Sequence, residues 1–217
     1  MRKRQVSIVV NDSKMDAILY PAGGRKDKVV IVISGSEGGM DYAKKMAAFL
    51  SDRGIPALVF GLFATPYTEK KLHHIPVERV GRAIQYLKRS GYEKIGIEGL
   101  SKGSELALAA AIKYPQISCV ILKAPSHFYS EGLDHRQPSR GCCWCMGGYE
   151  LSYTPYKTRS YNVPAMILKN MEFNIYEVNA GKKVVRDSLI PVEKVRAPIL
   201  MFWGCGRKDG QRKGLLQ

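Results

Sequence analysis

The sequence predicts an α/β domain built on a mostly parallel, twisted sheet with helices on both faces. Three observations predict it. Apolar, strand-like runs alternate with segments of helical period from residue 28 to residue 122, an order that lays parallel strands side by side with helical crossovers. The run at residues 28–34 (KVVIVIS) is nearly all β-branched and does not alternate with polar residues, as expected of a strand buried on both faces. An alternating pattern precedes it, which reads as an antiparallel hairpin at the beginning of the sheet. With 217 residues, 45% of them hydrophobic, and no linker-like stretch, residues 1–217 are expected to form a single domain around one core.

The elements follow in order. Residues 5–10 and 15–20 are the two arms of the hairpin, around Asn11-Asp12-Ser13. Residues 21–27 are a turn-rich link into the central strand, 28–34. After Gly35-Ser36-Glu37-Gly38-Gly39 comes a helix at about 40–53, with Ala43, Met46, Ala47 and Leu50 on one face and Gly54 as its stop. Residues 57–60 are the next strand and 61–74 a loop. Val77, Val80, Ile84 and Leu87 give residues 76–89 a helical stripe, closed by Gly91. A strand at 94–98, an alanine-rich helix at 104–114 and a strand at 117–122 complete the alternating part. Residues 125–162 break the rhythm. Long, aromatic and rich in turn residues, they read as a lid or substrate-binding insertion. Residues 163–179 have a helical pattern whose start is limited by Pro164, and residues 198–203 (PILMFW) read as the last strand. The tail, 204–217, is basic and offers no further strand.

The chemistry is concentrated at Gly99-Leu100-Ser101-Lys102-Gly103, between the strand at 94–98 and the helix at 104–114. A serine hydroxyl is a poor nucleophile at its ordinary pKa. Glycines two residues to either side permit a sharp strand-to-helix turn that lifts the hydroxyl out of the sheet towards a base. On this reading Ser101 is the catalytic nucleophile and the backbone N–H of Lys102 is one oxyanion donor. The second donor is expected in the turn after the central strand, at Ser36 or Glu37. That turn lacks a Gly-Lys-Ser/Thr ending, so it is not a Walker loop. A base and an orienting acid are harder to find. The histidines are His73, His74, His127 and His135, and none follows the last strand. Asp209 stands shortly after Trp203, where an acid is expected, and His127 follows the strand at 117–122, so these two are the candidate acid and substitute base. A strand-to-helix turn that merely contains a serine is the alternative.

Composition excludes several classes. The net charge of +15 invites nucleic acid, but the basic residues are spread along the chain rather than gathered into a stripe with aromatics, so no specific nucleic-acid partner is expected. Basic groups near a pocket would instead suit a substrate carrying phosphates. The apolar run after Met1-Arg2-Lys3-Arg4 is too short for a signal segment or a membrane span, and a cytoplasmic location with no membrane partner is expected. Five cysteines, Cys119, Cys142, Cys143, Cys145 and Cys205, argue against a secreted disulfide framework. The Cys-Cys-Trp-Cys cluster has no second ligand pair at metal-binding spacing. It is read as reduced thiols in a loop, and neither metal nor cofactor is expected.

Four stretches together resemble one family. Gly96-Ile97-Glu98-Gly99-Leu100-Ser101-Lys102-Gly103-Ser104-Glu105, with its Lys-Gly-x-Glu, is more specific than the elbow alone. Beside it stand Ile33-Ser34-Gly35-Ser36-Glu37-Gly38-Gly39, the segment 144–156 with Gly148, Leu151, Tyr153, Pro155 and Tyr156, and the segment 188–195 with Pro198-Ile199-Leu200. Over roughly residues 15–203 the chain resembles the C-terminal catalytic domain of the acyl-CoA thioester hydrolase and bile acid-CoA:amino acid N-acyltransferase family. The resemblance implies an α/β-hydrolase fold and hydrolysis of an acyl-CoA thioester, or acyl transfer, through an acyl-enzyme. It departs at Gly204, where the family continues with an aspartate-bearing turn, a further strand and a late histidine. The last strand and helix are therefore expected to be missing, with weak or no hydrolysis and an exposed strand edge open to self-association. A carboxylesterase or dienelactone-hydrolase-like enzyme is the neighbouring reading. A catalytically inactive fragment that binds a ligand or partner chain is the reading from another class.

Overall fold

Seven strands in the order β1-β2-β4-β3-β6-β7-β12 form the main sheet of the computed structural model, which describes residues 8–12, 15–134, 137–156 and 184–203. The hairpin is β1 (Ile8–Asp12) and β2 (Met15–Tyr20), paired antiparallel, and β2 also runs antiparallel to β4 (Ala57–Phe60). From there the sheet is parallel: β4 to β3 (Lys28–Ile33), β3 to β6 (Lys94–Leu100), β6 to β7 (Ile117–Lys123), and β7 to β12 (Ile199–Phe202). Asn11 and Asp12 pair with Asp16 and Met15, so the hairpin's first arm runs two residues further than the alternation predicts.

The unalternating strands are apolar on both faces because both are covered. Val30, Val32, Ala57 and Val59 pack on Ala43 and Ala47 of α1 (Asp41–Asp52). Val29, Ile31, Ile33, Ile95 and Ile97 belong to the larger core, which also takes the apolar side of α2 (Glu78–Arg89) and α3 (Lys102–Lys113). Each large aliphatic side chain so buried contributes about 1.5–3 kcal/mol. The apolar stripe of α2 (Val80, Ala83, Ile84, Leu87) is that of an amphipathic helix on a core, whereas residues 102–111 of α3 are buried on every side.

Residues 125–156 carry short strands of their own. Two-residue β5 (Ile75–Pro76) pairs in parallel with β10 (Trp144–Met146), which pairs with β11 (Tyr149–Glu150); β8 (Glu131–Asp134) and β9 (Gln137–Cys142) form a separate ladder. Cys142 therefore ends a strand and Cys145 lies within one, not in the loop that the clustered thiols suggest, and Cys142 and Cys143 are fully buried. Cys119, Cys142, Cys143 and Cys145 are free thiols. No helix among the described residues is long and apolar enough to cross a membrane. The helical pattern at 163–179, His135, Cys205 and the tail from 204 lie outside the described residues.

At the far edge of the sheet, Leu200, Met201 and Phe202 are each about half exposed and Trp203 is 68% exposed. No described strand pairs with the outer edge of β12.

Candidate active site

The turn from β6 to α3 bends at Ser101, whose backbone lies at φ 51° and ψ −116°. A non-glycine residue there costs on the order of 1–3 kcal/mol and is held only by its surroundings. Here the surroundings are backbone. A side chain at Gly99 would strike the Gly103 carbonyl and come within 2.7 Å of the Ser104 nitrogen; one at Gly103 would strike the Ser34 carbonyl and stand 2.9 Å from Ile33 Cγ2. The two glycines let β6, β3 and α3 close on one another. Hydrogen bonds pin the result: Ser101 N–H donates to Lys123 O at 2.8 Å, and Ser104 Oγ–H to Gly99 O at 2.7 Å.

The turn after β3 lies against this elbow. A side chain at Gly35 would begin 3.0 Å from Leu100 O and 3.3 Å from Ser101 Cβ, so the loop that holds Ser36 and Glu37 runs beside Ser101. Ser36 and Glu37 are exposed. The Glu37 carboxylate folds back on its own loop, where Oε1 accepts from Gly35 N–H at 3.0 Å. Lys102 opens α3, and the amides of a first helical turn point past the helix end rather than along its ladder. Ser101, Lys102, Ser36 and Glu37 are thus brought to one corner of the carboxyl edge of the sheet.

The candidate acid and base are not. Asp209 lies outside the described residues. His127 is exposed, with its ring edge-on to Phe128 at 5.0 Å and its carbonyl accepting from Ile190 N–H, and no described hydrogen bond joins it to Ser101. His73 and His74 stack at 3.8 Å; His73 Nδ1 bonds Ser139 Oγ and His74 Nε2 bonds Glu150 Oε1.

The model of the family described as BAAT / Acyl-CoA thioester hydrolase C terminal matches residues 75–210. The chain belongs to this family. Among solved structures it is similar to the α/β hydrolase GrgF from Penicillium sp. sh18, at 17% identity, 95% of this chain and 91% of that one, with a TM-score of 0.52. It is also similar to a Klebsiella pneumoniae protein assigned as a dienelactone hydrolase (13% identity, 63% of this chain, TM-score 0.50) and to a Pseudomonas aeruginosa PAO1 protein assigned as a hydrolytic enzyme (17% identity, 57% of this chain, TM-score 0.41). The chain spans 66% and 41% of those two proteins, under two thirds of each. At such identities the likeness concerns the fold, which is that of an α/β hydrolase. No curated protein matches the chain.

In this member of the BAAT / acyl-CoA thioester hydrolase family the Lys-Gly-x-Glu after the serine has a structural use that the sequence reading misses. Lys102 and Glu105 are buried together on the first turn of α3, with Nζ 3.7 Å from Oε1. Glu105 accepts from Ser130 N–H at 3.1 Å, from Ser130 Oγ and from Trp144 Nε1 at 2.9 Å. Lys102 donates to Ser130 Oγ, to Glu131 O at 2.8 Å and to Cys143 Sγ at 3.1 Å. Glu131 continues the chain of bonds, accepting from Arg140 N–H and Tyr156 N–H, each at 2.7 Å. Burial pushes the Cys143 thiol up to about 12, so it sits beside the ammonium as a neutral thiol. The insertion is thereby fastened by buried charge to the helix that carries the serine. The available signal is two charged residues, three apart, on the first turn of a helix whose residues 106–112 are all apolar.

A second buried group lies on the α1 side of the sheet. Glu98, in the middle of apolar β6, accepts from Tyr42 OH at 2.8 Å and pairs with Lys123 Nζ at 2.9 Å. Burial and this bond hold the Tyr42 hydroxyl well above the usual phenol range. Among the described residues no group of three or more His, Cys, Asp or Glu side chains is arranged to hold a metal ion.

Proposed function

We propose that the chain cleaves an acyl-CoA thioester, or transfers its acyl group to an amine, through an ester on Ser101. One observation carries the reading: the strained Ser101 backbone, locked between Gly99 and Gly103, with the Gly35 turn against its Cβ. In this reading Ser101 Oγ attacks the thioester carbonyl. The developing oxyanion is held by the N–H of Lys102 and that of Ser36 or Glu37, each worth on the order of 10²–10³ in turnover. The net charge of +15 favours the phosphates of a CoA carrier. The four described cysteines are free thiols, which suits a reducing, cytoplasmic setting. The oxyanion groups account for the charge developed in acylation, and Asp209 and His127 are the acid and substitute base that the sequence offers. A fluorophosphonate probe tests the reading. Stoichiometric labelling of Ser101, with thioester cleavage that Ser101→Ala abolishes, is expected; absence of both defeats it.

The elbow does not separate thioesters from oxygen esters, so an esterase or dienelactone-hydrolase-like activity is the neighbouring proposal. Rates on an acyl-CoA panel set against p-nitrophenyl esters decide between them. A third reading, an inactive chain that associates through the edge of β12, draws on the exposure of Leu200, Met201, Phe202 and Trp203. A monomer that labels at Ser101 removes it.

A further inference from the structure

The elbow brings a second ionisable group to Ser101. The position a side chain would occupy at Gly35 is 3.3 Å from Ser101 Cβ and 2.7 Å from Glu37 Oε2, so serine and carboxylate flank one small space beside the loop. Glu37 Oε1 accepts from Gly35 N–H, which holds the carboxylate over the loop, and Oε2 is the oxygen against the Gly35 position. The residue is exposed. Its charge also reaches the Tyr42 hydroxyl, which it pushes up after burial and Glu98 have done most of the work. His73 and His74 are engaged with Ser139 and Glu150.

Building on the Ser101 acyl-enzyme reading, we infer that Glu37, in place of His127, is the proton acceptor for Ser101, a carboxylate base supplied by the same loop that is proposed to hold the oxyanion. In acylation the Ser101 Oγ–H proton passes to Glu37 Oε2 as the Oγ–C bond forms. The C–S bond then breaks and the thiolate takes the proton back. In deacylation Glu37 takes a proton from water, the hydroxide oxygen bonds the acyl carbon, and the released Ser101 oxygen recovers the proton. One thioester and one water give one acid and one thiol. The closeness of a carboxylate to an oxyanion is tolerable because the transfer moves one negative charge from Glu37 to the substrate oxygen rather than adding a second. A positioned base contributes roughly 10²–10⁴ in rate.

The test is the rate of fluorophosphonate labelling of Ser101 in the full chain at one fixed pH, for the unmodified protein, Glu37→Gln and Glu37→Asp. Glu37→Gln keeps an amide oxygen for Gly35 N–H, so the loop is retained, which an unchanged thermal melt checks. The expected result is a fall in labelling rate on the order of 10² in Glu37→Gln, and partial recovery in Glu37→Asp. Labelling of Glu37→Gln at the unmodified rate overturns the role of Glu37 and leaves the Ser101 reading standing. Failure of the unmodified protein to label overturns both.

Discussion

The indole N–H of Trp144 donates to the Glu105 carboxylate at 2.9 Å, and neither residue is exposed to solvent. One bond thus joins β10 of the insertion to α3, the helix that follows Ser101. Breaking such a buried group from one side is costly because the remaining charge stays buried. Glu105→Ala, which leaves the Lys102 ammonium without its carboxylate, is expected to lose about 3–5 kcal/mol of stability. Trp144→Phe, which removes a single donor, should lose about 1–3 kcal/mol. Urea unfolding of the two variants measures both; equal and small losses would remove the network from the account.

The strain at Ser101 has the opposite sign. Glycine adopts a positive φ without the Cβ penalty, so Ser101→Gly is expected to gain about 1 kcal/mol while losing all labelling by the probe. Gly103→Ala should do the reverse to the fold, since its methyl meets the Ser34 carbonyl, which has no flexible end to move. A loss of at least about 2 kcal/mol is expected. Thermal melts of both variants check the pair, and a destabilised Ser101→Gly would contradict the strain.

Stability should fall on acidification around His73. Burial first, and then the charge of stacked His74, hold its pKa below the ordinary 6.5. The unfolded chain therefore binds this proton more readily than the folded one. The His73 contribution is complete above 6.5 and is lost as pH falls through the window between the unfolded and the lower folded value. Comparing the pH dependence of unfolding for the unmodified protein and His73→Asn isolates it: the variant's slope should be flatter in that window. An equal slope means that His73 is not the group.

The edge of β12 is open to a direct test. Leu200→Lys together with Phe202→Lys should suppress any concentration-dependent association, because charged side chains on an exposed strand discourage edge pairing. Sedimentation velocity over a range of concentrations shows it, and association that persists unchanged in the double variant places the contact elsewhere.

Most of the main sheet is legible in the sequence because its signals are local. The run KVVIVI has no polar position to turn outward, and β3 is buried on both faces; ALVF gives β4 at its predicted bounds. The stripe of α2 marks that helix to within two residues, since Pro76 belongs to β5 and the helix starts at Glu78. The elbow is legible for the same reason: the two glycines and the serine declare a backbone conformation that few other residues permit. The strands of the insertion are not legible. β5, β10 and β11 are two or three residues long, too short for a period; β5 and β10 form by pairing across some 70 residues of chain, as Trp144 does with Ile75, and β11 pairs back on β10.

What the sequence determined by itself is a strained serine between a buried strand and a buried helix, because backbone conformation and hydrophobic period are written in neighbouring residues. The tertiary structure alone decided what surrounds it. Glu105 meets Trp144 and Ser130, and Glu98 meets Lys123 and Tyr42. Each of these is a polar side chain that reads in the sequence as an ordinary charge. Its role arises only when folding removes water from it and leaves another group of the chain as its partner.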